Sequence, residues 1–133
     1  MTAVFADAFY WVALLNGRDE YHEKVKQHAG AFRGSILTTQ WVLAEVADAL
    51  AASKVRESIR PFFQELAGND AFTLLDATGS LFRRGLELYH DRPDKHWSLT
   101  DCISFVVMKE YGVSEALTGD QHFAQAGFTV LFS

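Results

Sequence analysis

Short apolar runs, each too brief to be a helix, alternate along this chain with longer stretches whose apolar residues recur at helical spacing, and few folds accept that order. Ala3 to Ala6, Gly34 to Thr38, Phe72 to Leu75, Ala116 to Thr118 and Phe128 to Phe132 read as strands. Between them, Phe9 to Leu15, Asp19 to about Gly30, Trp41 to Leu50, Ile59 to Leu66, Ser80 to His90, Ser98 to about Gly112 and a short piece through Phe123 read as helices. Asn16-Gly17, Gly68-Asn69 and Gly127 supply the stops. A strand joined through a helix to the next strand must cross over and pair in parallel. The order therefore predicts a three-layer α/β/α sandwich with a mostly parallel, five-stranded sheet covered by helices on both faces. The two helices on either side of residue 54 are expected to form a helical hairpin.

A chain of 133 residues matches one domain, so residues 1–133 are expected to be a single unit. Hydrophobic residues make up 49% of it and prolines are only Pro61 and Pro93, which favours a packed core over disorder. Cys102 is the single cysteine and allows no internal disulfide. The start, Met-Thr-Ala-Val-Phe-Ala-Asp, carries no basic leader, and the longest apolar run, Ala8 to Leu15, falls far short of the roughly 20 residues that cross a bilayer. A cytoplasmic protein without a membrane span is the expectation. The formal net charge of −5 argues against coating nucleic acid through bulk positive charge. It does not argue against a nuclease, which needs only local basic residues beside its site.

Four carboxylates stand where this fold would bring them together. Asp7 and Asp120 fall at or just beyond the ends of the first and fourth strands, Asp101 in the first turn of a helix, and Glu45 a turn or two into another. In open α/β sheets ligands sit outside the carboxyl ends of the strands, and the crossover helices begin at that same edge. Two unit charges about 4 Å apart repel by about 4 kcal/mol at an effective dielectric of about 20. Such pairs coexist with raised pKa values, ample water or a bound cation. Oxygen donors without a cysteine or histidine cluster favour Mg²⁺ or Mn²⁺ over zinc.

Plainer readings stand beside this one. Asp7, Asp101 and Asp120 are each plausible helix caps, Asp101 three residues after Ser98 in particular. Glu45 has Trp41 and Ala49 four residues to either side on its own stripe and could occupy a partly exposed edge. His22, His28, His90, His96 and His122 show no zinc spacing and read as surface or structural, and Cys102 reads as core. Arg92 and Lys95, in the loop before Asp101, are the first candidates for phosphate contacts, with plain solubility as the alternative. Trp97 in the same loop reads as an anchor to the core rather than a base-stacking platform.

Val4-Phe5-Ala6-Asp7 with Trp11-Val12-Ala13-Leu14, Thr38-Thr39 through Leu43-Ala44-Glu45, Ser98-Leu99-Thr100-Asp101 and Leu117-Thr118-Gly119-Asp120-Gln121-His122-Phe123 resemble the PIN domain, in that family's order and over nearly the whole chain. Among PIN domains the chain resembles the VapC toxins of bacterial toxin–antitoxin pairs. The resemblance implies a PIN-like fold and an endoribonuclease dependent on Mg²⁺ or Mn²⁺. Its carboxylates map onto Asp7, Glu45, Asp101 and Asp120, and Thr118 matches a hydroxyl that orients an acid or a water. The mechanism expected from these residues has Asp7 and Asp101 as primary ligands of one cation, with Glu45 and Asp120 holding it through water or recruiting a second ion. The resemblance also implies an RNA substrate, a homodimer and a VapB-type antitoxin. The chain departs from the family pattern at Ala8, where Ser or Thr is usual, so a hydroxyl contact is missing there. A receiver-like module would need an acidic neighbour for Asp7, which is absent. A non-catalytic PIN scaffold that binds protein is the remaining alternative.

Overall fold

The computed structural model describes residues 2–132. Five strands, β1 (Ala3–Ala6), β2 (Ser35–Thr39), β3 (Phe72–Leu75), β4 (Glu115–Leu117) and β5 (Thr129–Val130), form one sheet in the order β3-β2-β1-β4-β5. Every pairing is parallel. The helices are α1 (Ala8–Leu15), α2 (His22–Ala31), α3 (Gln40–Ala49), α4 (Ile59–Gly68), α5 (Gly79–Asp91), α6 (Leu99–Glu110) and α7 (Gln121–Gln125), with a 3-10 turn at Lys54–Ser58.

The strand order explains where a ligand would sit. From β1 the chain steps outward to β2 and β3, then returns across the sheet to β4 on the other flank of β1 and steps out to β5. Right-handed crossovers in opposite directions put their helices on opposite faces. Accordingly α1 packs on α2 and α3 in one layer, while α6 packs on α5 and α7 in the other. The reversal between β1 and β4 leaves a crevice at their carboxyl ends, because the connections that follow them diverge.

β1 lies at the centre of the sheet, and Val4, Phe5 and Ala6 are all but inaccessible. That burial on both faces is why the strand reads as a continuous apolar run rather than an alternating one. Its end is pinned from β2, where the Thr38 hydroxyl donates to the Ala6 carbonyl (2.9 Å) and accepts from the Trp11 indole N–H (3.4 Å). Trp11 itself is 1% exposed and packs on Phe62 and Phe72. Side-chain caps fix the starts of α3 and α5: Thr39 accepts from the Val42 N–H and Thr78 from the Leu81 N–H, both at 3.2 Å.

Two expectations need correction. The fifth strand is shorter than Phe128 to Phe132, although the Leu131 and Phe132 N–H groups still bond to Ala116 and Thr118 at 3.1 Å. A short edge strand offers little unpaired backbone for unwanted pairing. The helices before and after residue 54 do not close into a tight hairpin. The 3-10 turn sets α4 aside, and a cleft of about 640 Å³, lined by Asp48, Arg60 and Phe63 among others, separates it from α3.

Gly85 of α5 packs directly against Ile103 of α6. A Cβ at residue 85 would stand 2.3 Å from Ile103 Cγ1 and 3.1 Å from its Cα. Gly85→Ala is therefore expected to destabilise the fold by about 1–3 kcal/mol through overpacking, despite the ~1 kcal/mol that alanine gains in a helix. Chemical denaturation measures it, and a variant as stable as the parent would show that α5 and α6 separate freely.

Candidate metal centre

Asp7 follows β1 directly and occupies the N-cap position of α1, yet its side chain makes no cap hydrogen bond. Its carboxylate is instead turned inward, 5% exposed, where Oδ2 accepts a 3.0 Å hydrogen bond from the Thr118 hydroxyl. Oδ1 is buried with no hydrogen-bond partner among the described residues. An unpaired buried acceptor costs about 1–3 kcal/mol, and more if charged. Burial pushes the Asp7 pKa up to about 7, and the charges of Glu45 and Asp101 add to the rise. The neighbouring Ala8 amide and Thr118 favour the charged form without offsetting burial.

Thr118 lies just past β4 and is itself fully buried. While donating to Asp7 it accepts from the Asp120 N–H at 3.0 Å, so one hydroxyl fixes both a carboxylate and the turn that carries the next one. Asp120 caps α7, accepting from the His122 N–H at 2.9 Å.

Asp101 is held by a capping box. The Ser98 hydroxyl accepts from the Asp101 N–H (3.0 Å) and Asp101 Oδ2 accepts from the Ser98 N–H (3.2 Å). Capping and membership of the acidic cluster thus coincide in one residue. Its pKa is raised by burial and then by Asp120, while the Ser98 amide and His122 pull it down. Glu45 is half-buried on α3, and its pKa is raised by burial first, then by Asp101, Asp120 and Asp48. Those mutual effects bring all four carboxylates into one electrostatic neighbourhood at the β1–β4 crevice.

One member of this neighbourhood was not expected from the sequence. His122 Nδ1 lies 3.3 Å from Asp101 Oδ2 and 3.5 Å from Asp120 Oδ1. Asp101, Asp120 and His122 each offer a ligand atom within 4.8 Å of the others, a metal-compatible group among the described residues. The signal in the sequence is local: residue 122 falls in the first turn of the helix that Asp120 caps. Zinc-type spacing does not detect it, because its partner Asp101 is 21 residues away.

The loop before α6 is organised differently from the cluster. Arg92 is gripped by Asp94 through two hydrogen bonds, Nε to Oδ1 at 3.0 Å and Nη2 to Oδ2 at 2.9 Å, and its guanidinium lies 5.3 Å from the Trp97 ring centroid. Trp97 is buried, stands edge-on to Phe105 and donates to Gln125 Oε1 at 3.1 Å. It anchors the loop to α7. Lys95 makes no ion pair among the described residues.

A family model described as the PIN domain matches residues 4–129. The 23S rRNA-specific endonuclease VapC20 of Mycobacterium tuberculosis is 25% identical over 135 residues, spanning 94% of this chain and 95% of that protein. The crystal structure of VapC20 from the same organism, described as a sarcin-ricin loop cleaving toxin, superposes with a TM-score of 0.85 at 22% identity over 98% of both chains. VapBC2 from Rickettsia felis, bound to a DNA fragment from their promoter, gives 0.66 at 13% identity over 98% of both. FitAcB from Neisseria gonorrhoeae gives 0.66 at 14% over 96% of both. These superpositions establish a shared fold.

The buried acid sets a pH signature for the metal-free protein. Asp7 moves from 3.8 to about 7 on folding, so the folded state holds the proton more tightly than the unfolded state. Stability falls as pH rises between those values, and the penalty is complete above about 7, at most ~4 kcal/mol from this group. Asp7→Asn is expected to stabilise the metal-free protein at pH 8, with the gain shrinking as pH falls toward 5. Urea unfolding at the two pH values reads this, and an equal effect at both would show that Asp7 does not carry the strain.

Proposed function

The chain belongs to the PIN-domain family, and from that premise we propose that it is a divalent-metal-dependent endoribonuclease, the toxin of a toxin–antitoxin pair. Asp7 is the observation that carries the metal. A carboxylate almost wholly out of water, with one oxygen unpartnered and two more acids bearing on it, is a costly arrangement for an empty site and an apt one for holding a cation. Among the described residues no lysine or arginine pairs with it. The donors are mostly hard carboxylate oxygens, which suits Mg²⁺ or Mn²⁺.

Asp7 and Asp101 would be the inner ligands, each in an orientation fixed by a separate hydrogen bond, from Thr118 and from Ser98. Glu45 and Asp120 would close the outer side, where they are more accessible and can orient water. Glu45, with its pKa raised, is suited to accept a proton from an attacking water. A bound divalent cation supplies the Lewis acidity that phosphodiester hydrolysis requires. Thr118 acts through Asp7 and is a positioning residue.

RNA is the proposed substrate, and ribosomal RNA the first to try, because the curated relative VapC20 is specific for 23S rRNA. Lys95 is the better candidate for a phosphate contact, since Arg92 is already engaged by Asp94. Among the described residues no helix is long and apolar enough to cross a membrane. By likeness to VapC toxins, the reading extends to a cytoplasmic, single-unit toxin that forms a homodimer and is restrained by a VapB-type antitoxin.

Purified protein incubated with ribosomal RNA should cleave it in Mg²⁺ or Mn²⁺ and not in EDTA. Asp7→Asn and Asp101→Asn should each lower the rate by about 100-fold or more, the ~3–4 kcal/mol scale of losing an electrostatic group at a reacting centre. Parental cleavage rates in both variants would overturn the assignment of the site.

A further inference from the structure

We propose that His122 is a nitrogen ligand of the divalent cation and that it biases the site toward Mn²⁺ over Mg²⁺. This deepens the reading of the carboxylate cluster as a cation site and rests on it.

The geometry comes from α7. Its first turn places the His122 backbone N–H on Asp120 Oδ1, which fixes where the residue starts, and the ring then folds back across the crevice. Nδ1 ends 3.3 Å from Asp101 Oδ2 and 3.5 Å from Asp120 Oδ1. Two ligand atoms each about 2.1 Å from an ion and at right angles around it are about 3.0 Å apart. The observed separations are thus close to those of neighbouring ligands on one ion. The ring keeps 31% of its side-chain surface exposed, so Nε2 can carry the ring proton toward solvent while the Nδ1 lone pair faces inward. Without an ion, the other tautomer lets Nδ1–H donate to Asp101.

A histidine between two aspartates would ordinarily be read as a hydrogen-bonding partner. The second observation is Asp7, nine-tenths buried and with Oδ1 unpartnered, which shares the field of Asp101 and Glu45. His122 leaves that oxygen unsatisfied, so the histidine does not complete the cluster, and a cation does.

The consequence is chemical selectivity. Mg²⁺ favours oxygen ligands and gives up water reluctantly. Imidazole is a better ligand for first-row transition ions than for Mg²⁺. An imidazole in the donor set should therefore strengthen Mn²⁺ binding and do little for Mg²⁺.

The test is metal binding by the full chain, with no reaction involved. Mn²⁺ affinity is read by electron paramagnetic resonance and Mg²⁺ by competition, for the parent, His122→Gln and Asp101→Asn. The parent should prefer Mn²⁺, and His122→Gln should weaken Mn²⁺ roughly tenfold or more while changing Mg²⁺ less than about twofold. Pulsed measurements should show the ¹⁴N coupling of a bound imidazole in the parent and none in His122→Gln. Mn²⁺ held in an Asp101-dependent way without ¹⁴N coupling, or equal weakening of both ions, would overturn the proposal and leave the cation site standing. Undiminished Mn²⁺ affinity in Asp101→Asn would overturn the cation site itself.

Discussion

An ionisable group driven out of water at the end of the central strand is the constraint around which the rest of this molecule is arranged. β1 is buried on both faces, so the residue that follows it has little solvent to turn to, and that residue is Asp7. Thr38 and Trp11 hold the strand end from one side and Thr118 holds the carboxylate from the other. None of these contacts neutralises the charge. They fix its position, which is the arrangement expected where geometry is kept for a ligand at some cost in stability.

The fold was legible because its signals are local and repeated. Apolar runs of four or five residues between helical stretches dictate crossovers, and crossovers dictate parallel pairing; the observed sheet follows. What escaped were features set by side chains distant in sequence. The opening between α3 and α4 depends on a 3-10 turn that Ser53 caps, and its effect on α4 is not encoded in helical periodicity. At the site, the edge on which the four acids meet could be inferred from strand ends and helix starts. Asp101 proved to be both a cap and a member of the cluster, a combination that a choice between the two roles does not foresee. The inward turn of Asp7, away from its cap position, and the fold-back of His122 are rotamer facts that no spacing rule contains.

The same acidity governs how an anionic polymer can approach. The chain carries a net charge of −5, and its most buried charges lie in the crevice. Arg92, one of the two basic residues with Lys95 in the loop, is held by Asp94 and lies against Trp97, so it serves first to keep the loop in shape. A phosphate would thus meet repulsion at the metal-free site, and ion and polyanion should bind with positive coupling.

The contact between Gly85 and Ile103 takes on another meaning in this light. Ile103 stands two residues beyond Asp101 on a helix whose inner residues are nearly all buried, so α6 is at once a core element and the carrier of a carboxylate. Where α5 meets it at Gly85, which puts no side chain of its own against Ile103, the spacing of the two helices becomes a gauge for the height of Asp101 above the sheet. Ligand sets tolerate errors of only a few tenths of an ångström. A residue with no functional group, on a helix that contributes none of the four acids, thereby calibrates the site.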